Sequence, residues 1–154
     1  MIATKILLHH SAGIDTPASD WEGIRADHLR LGYNDIGYHR GLELVGGVPV
    51  LRIGRPLNVM GAHCRAQRMN HKSIGFVIVG NFELSPPNPI ILPPLVGSLV
   101  WLCQVLNIPA SEIGGHGDYA NTLCPGKYFP MEYVRDVVDF KLKKGRSEGW
   151  MDLQ

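Results

Sequence analysis

Apolar and polar positions along the chain divide it into short segments with recognisable periods. Ala3 to Leu8 is a short, mostly apolar run. It predicts a buried strand that delivers His9 at its end. Ser19-Asp-Trp-Glu22 reads as a capping box, in which Glu22 reaches back to the Ser19 amide. Trp21, Ile24, His28 and Leu31 follow at helical spacing and Gly32 supplies a stop, predicting an amphipathic helix over 20–31. Tyr38 to Val45 and Val48 to Ile53 flank Gly46-Gly47. Two glycines between β-rich runs predict a hairpin, because both turn positions can take positive φ. Ser73 to Val79 is a continuous apolar run, as expected of a strand covered on both faces.

Residues 83–94 hold five prolines and predict a loop. Pro93 and Pro94 then suit the first turn of a helix. Leu95, Leu99, Leu102 and Leu106 share one face of it, and Pro109 is expected to end it. A last helix is predicted over about 131–144, with Val134, Val138 and Leu142 inward. The order is β, α, β, β, β, α, short β or loop, α. It predicts an α/β single domain, with a central mostly mixed β-sheet flanked by about three α-helices. Residues 1–145 form that domain, and 146–154 read as a C-terminal tail.

Composition narrows the class. The 154 residues are 45% hydrophobic and 19% charged, an ordinary balance for a folded domain. A net charge of +1 provides no global field toward nucleic acid or an acidic membrane. The basic run Lys141 to Arg146 reads as a solvated helix end whose cations complement the helix dipole. Met1 to Leu8 is too short an apolar run for a signal peptide, which predicts a cytoplasmic start. The apolar stretch Ile90 to Val105 is interrupted by Pro93, Pro94, Gly97, Ser98 and Gln104 and is not expected to span a membrane.

The chemistry is carried by histidine and cysteine. There are seven histidines and three cysteines, and an odd cysteine count without a signal peptide argues against a disulfide framework. Cys103 lies in an apolar helical pattern and reads as a small buried hydrophobe. Cys64 has no evident assignment. His116 follows Gly114-Gly115 and precedes Cys124 by eight residues, a spacing that suits a loop turning back on itself. Zinc wants at least three protein ligands, so a histidine from a strand end is the natural third. Two imidazoles and a thiolate suit zinc better than magnesium or calcium. A fourth, open position would mark a catalytic site. His9 and His10 alternate on a strand, so only one faces the metal, and spacing leaves the two tied. His28 reads as a core histidine, and His39 as structural.

Six ordered segments then add a resemblance. They are Leu-Leu-His-His-Ser-Ala-Gly (7–13), Asp-Ile-Gly-Tyr-His (35–39), Gly-Ala-His (61–63), Asn-His-Lys-Ser-Ile-Gly (70–75), Val-Gly-Asn-Phe (79–82) and Gly-His-Gly-Asp with Thr-Leu-Cys-Pro-Gly (115–126). Together they resemble the zinc-dependent N-acetylmuramoyl-L-alanine amidases of the second type, which include phage amidase-type lysozymes and animal peptidoglycan recognition proteins. The resemblance covers residues 6 to about 130. It implies one Zn2+ held by His9, His116 and Cys124, with Tyr38 and Thr122 at the catalytic positions. It further suggests His63 and Asn70 as substrate-binding residues of the glycan–peptide groove.

The implied activity is peptidoglycan hydrolysis at the amide between the muramic lactyl group and L-alanine. A phage or prophage endolysin is the expected role, bacteriolytic and acting on the cell wall after release from the cytoplasm. The alternatives are a non-catalytic peptidoglycan-recognition module and a cytoplasmic muropeptide-recycling amidase. Inactive members of the family often lack the cysteine ligand, which this chain keeps. The expected partner is peptidoglycan or a muropeptide, with no nucleic acid or membrane, and the chain is expected to be a monomer.

Overall fold

The computed structural model describes residues 1–13 and 19–147. Five strands form one mixed sheet: β1 (Lys5–His10), β2 (Arg40–Val45), β3 (Val48–Ile53), β4 (Ser73–Ile78) and β5 (Ile113–Gly115). Their order is β3-β2-β4-β1-β5. Among the described residues only β2–β3 pair antiparallel, through the expected Gly46-Gly47 turn, where both glycines have positive φ. β1 lies between two parallel partners, β4 and β5. β4 is buried at every residue, as its unbroken apolar run implies.

Three helices cover the sheet: α1 (Trp21–Arg30), α2 (Leu92–Leu106) and α3 (Met131–Ser147). Strand alternation gives the two faces different jobs. Ile6 and Leu8 of β1 join Ile74, Phe76 and Ile78 of β4 in the main core. Leu95, Leu99 and Leu102 of α2 and Val134, Val138 and Leu142 of α3 close that core, as their spacing predicts. Leu7 points the other way, into a small cluster with Cys64 and Met69. Trp21 of α1 packs with Ile36 and Val77. Its ring lies over Gly41, where a Cβ would sit 2.3 Å from the indole.

The boundaries depart from expectation in instructive places. Asp20, not Ser19, caps α1: its carboxylate accepts from the Gly23 amide at 2.8 Å. Both residues have capping side chains, and the one whose extended backbone meets the helix takes the role. Leu31 is 70% exposed, beyond the end of α1, and is not an inward residue. β2 begins at Arg40, since Tyr38 and His39 accept from Arg55 and Gly54 outside the regular ladder. A 3-10 turn at Pro89–Ile91 leads into α2. That helix stops at Asn107, which takes the left-handed conformation at φ 52°, before Pro109 is reached. Pro89–Leu106 has 18 residues and is apolar enough to cross a membrane by length and composition. Here Leu95, Val96, Leu99, Leu102 and Cys103 of this stretch lie in the core. α3 continues through Ser147, and the rest of the expected tail, 148–154, lies outside the described residues.

Candidate metal centre

The site grows from the ends of the parallel strands. Leu8 is paired with Gly115, so one further step puts His116 beside His9. Their ring centroids are 4.6 Å apart. After His116 the chain turns back, and the Gly117 amide donates to the Cys124 carbonyl at 2.7 Å. A Cβ at Gly117 would meet the Thr122 carbonyl oxygen at 2.9 Å, so the doubled-back loop needs glycine there. The Cys124–Pro125 peptide is cis. The loop predicted from the His116–Cys124 spacing is therefore present. Donor atoms of His9, His116 and Cys124 all lie within 4.8 Å of one another.

Alternation resolves the tie between His9 and His10. His9 shares its face with Leu7, is 1% exposed, and brings Nδ1 to 3.7 Å from Cys124 Sγ. The His10 ring lies near Phe82, and its Nδ1 accepts from the Phe82 amide. The His10 amide instead serves the site by donating to Cys124 Sγ at 3.4 Å.

Burial sets the electrostatics. It holds the His9 imidazole well below its usual range, with His63, His116 and His10 adding to the effect. His116 is lowered by burial and by His10. Burial pushes the Cys124 thiol up to about 12. Two neutral imidazoles beside a buried thiol form a donor set of the kind zinc takes. A divalent cation would turn the thiol into a thiolate ligand. The residues present fit such an ion.

Tyr38 stands over this set, its ring 5.2 Å from that of His9 and 5.7 Å from that of His28. Gly37, just before it, is pinned on both sides. Its amide donates to His28 Nδ1 at 2.9 Å and its carbonyl accepts from Ala62. His28 is thus a half-buried structural histidine. Arg55 donates to the carbonyls of Ile36 and Met60 and fixes the same turn. Burial, and then the nearby Cys124, raise the Tyr38 phenol, which stays protonated at neutral pH. Thr122 is exposed on the 116–124 loop, and its hydroxyl accepts from the Cys124 amide at 3.3 Å.

The two residues expected to line the groove, His63 and Asn70, have hydrogen-bond partners within the protein. His63 is 9% exposed, behind His9, with its Nδ1 3.0 Å from His9 Nε2. Asn70 turns its side-chain oxygen to the amides of His63 and Cys64, at 2.8 and 2.7 Å, and so shapes the loop that carries His63. His39 is fully buried between the Gly75 amide and the Val59 carbonyl, a structural role as expected. Cys103 sits in the main core, and the Cys64 thiol donates to the Ala66 carbonyl.

The parallel strand ends thus gather two histidines and a cysteine that could hold a metal ion, with a tyrosine ring beside them. The chain belongs to the N-acetylmuramoyl-L-alanine amidase family (Amidase_2), which matches residues 2–127. Peptidoglycan-recognition protein SC2 of Drosophila melanogaster is 35% identical over 127 residues, 78% of this chain and 66% of that protein. Peptidoglycan-recognition protein LB of the same organism is 34% identical over 99 residues, 64% of this chain and 40% of that protein. The chain thus spans between two-fifths and two-thirds of the length of these relatives. Among solved structures, the endolysin N-acetylmuramoyl-L-alanine amidase LysCS from Clostridium intestinale superposes with a TM-score of 0.76 at 27% identity, covering 88% of this chain and 83% of that one. A mutant of Drosophila PGRP-LB in complex with tracheal cytotoxin gives 0.70 at 28% identity, covering 84% and 79%.

Proposed function

We propose that this chain hydrolyses the amide between the lactyl group of N-acetylmuramic acid and L-alanine, using one zinc ion held by His9, His116 and Cys124. The observation that carries this is the convergence of those three donors within 4.8 Å, in a chain of the amidase family. A bound zinc ion supplies a Lewis acid and lowers the pKa of a coordinated water toward about 7. The protein's own groups do the rest. The Tyr38 phenol, kept protonated by burial, is a donor for the substrate carbonyl oxygen as charge develops on it. Thr122 accepts from the Cys124 amide through its oxygen, which leaves its own proton for a substrate acceptor. The buried imidazoles stay neutral and keep lone pairs for the metal.

Similarity to a clostridial endolysin supports a phage or prophage role, in which the protein reaches the wall after release from the cytoplasm. The relation to a PGRP-LB structure that holds tracheal cytotoxin favours one second reading, recognition of wall fragments without cleavage. Incubation of zinc-loaded protein with several peptidoglycans, followed by end-group analysis, separates the two. New amino-terminal L-alanine is expected from the native protein and not from Cys124→Ser. Wall binding with no new amino termini would establish recognition in place of hydrolysis.

A further inference from the structure

We propose that His63 is the positioning residue of the metal centre: its bare Nδ1 accepts from His9 Nε2–H, so that His9 presents Nδ1 to the metal. The proposal rests on the zinc reading of His9, His116 and Cys124 given above. Three contacts fix the proton positions in turn. His63 Nε2 faces the Ser73 carbonyl at 3.3 Å, and a carbonyl can only accept, so the His63 proton is on Nε2. His63 Nδ1 is then without a proton, and the 3.0 Å contact requires His9 Nε2 to donate. His9 Nδ1 is left as a lone pair, 3.7 Å from Cys124 Sγ.

The seat of the ring shows how firmly this orientation is held. A Cβ at Gly75 would come within 2.4 Å of the His63 ring, and one at Gly61 within 2.5 Å. Both glycines therefore leave room for one imidazole. Asn70 holds the His63 amide, and the Ser73 hydroxyl donates to the Met69 carbonyl at 2.7 Å, closing the loop behind it. A metal-bound histidine usually donates its second N–H to a carbonyl or carboxylate, and loss of that partner costs about 10- to 100-fold in metal affinity. Here an imidazole takes that place and passes the chain of hydrogen bonds on to a backbone carbonyl.

The test compares native protein with His63→Leu and His63→Asn. Leucine removes the acceptor. Asparagine returns an oxygen near the position of Nδ1. Zinc affinity is measured by competition with a chromophoric chelator, and melting temperature is recorded without metal. Metal-free protein labelled with 15N-histidine is examined for N–N coupling across the His9–His63 hydrogen bond. The expected result is coupling in the native protein, zinc affinity lower by about 10- to 100-fold in His63→Leu, and most of it recovered in His63→Asn. Equal zinc affinity in all three proteins would overturn the proposal while leaving the zinc reading intact. So would equal losses in both variants, which would mark His63 as packing alone. A native protein that binds no zinc would remove the zinc reading and this proposal together.

Discussion

Gly75→Ala perturbs the back of the proposed metal centre without touching His9, His116 or Cys124. The added methyl would lie 2.4, 2.5 and 2.9 Å from three atoms of the His63 ring, where ordinary contact begins near 3.4 Å. The ring cannot retreat freely, because Gly61 lies against it and Ser73 and His9 hold its two nitrogens. Overpacking of a rigid site costs about 1–3 kcal/mol. A displaced ring also loses a buried hydrogen bond, about 1 kcal/mol. Against this stands the smaller chain entropy of alanine in the unfolded state, a gain of about 0.4–1 kcal/mol. The net is a loss of about 1–3.6 kcal/mol, or roughly 2–14 °C in melting temperature for a domain of this size. The assay is thermal unfolding of EDTA-treated protein followed by circular dichroism, which keeps metal out of the comparison. Melting at or above the native temperature would refute the account of the ring as wedged.

Three further outcomes follow from other parts of the fold. Gly97 lies inside α2 with open space around its would-be Cβ, so Gly97→Ala is expected to stabilise by about 1 kcal/mol in urea titration, and a destabilised variant would contradict the open site. Glu43 is a buried carboxylate that accepts from the Trp21 amide at 2.7 Å and pairs with Arg52 at 2.6 Å. Glu43→Ala, which orphans that helix-entry amide, is expected to cost about 2–3 kcal/mol, and Glu43→Gln, which keeps an acceptor, less than half as much; equal costs in urea titration would show the amide bond to be unimportant. Burial holds His39 down at about 4 against an ordinary 6.5, so the unfolded chain binds the extra proton between those values. Its share of stability is complete above pH 6.5 and is lost as pH falls toward 4, by about 3 kcal/mol in all, which denaturant titrations at pH 7, 5.5 and 4.5 on native and His39→Asn protein would register as a flatter slope in the variant.

The elements with a strong period were legible from residue order. α3 and α2 bury the side chains that their spacing selected, except that Leu106 at the end of α2 is only half-buried, and the Gly46-Gly47 hairpin holds its register from Arg40–Ile53 to Val45–Val48. The start of α1 was less so, because Ser19 and Asp20 are chemically equal as caps and only backbone geometry separates them. In the site, the Gly-rich loop made the His116–Cys124 pair visible, and family motifs supplied Tyr38. The His9–His63 contact was not legible. It joins residues 54 apart in sequence, through a β1–β4 register and a loop that no local pattern encodes. Its one trace was Gly75, a glycine inside an otherwise unbroken apolar strand, which is where a close neighbour should be sought. Glu43 left even less, since its partner amide belongs to a helix 22 residues earlier.

The placement of β1 between two parallel neighbours makes the sheet a ruler for the chemistry. His9 and His10 differ only in which side of the strand they occupy. A slip of one residue against β4 and β5 would exchange them, and would also drive Leu7 and Leu8 onto each other's sides. No partly correct arrangement lies between. The same apolar residues that would expel such a slip from the folded population thereby proofread which imidazole faces His116 and Cys124, so the accuracy of the site is underwritten by leucines that are themselves fully buried.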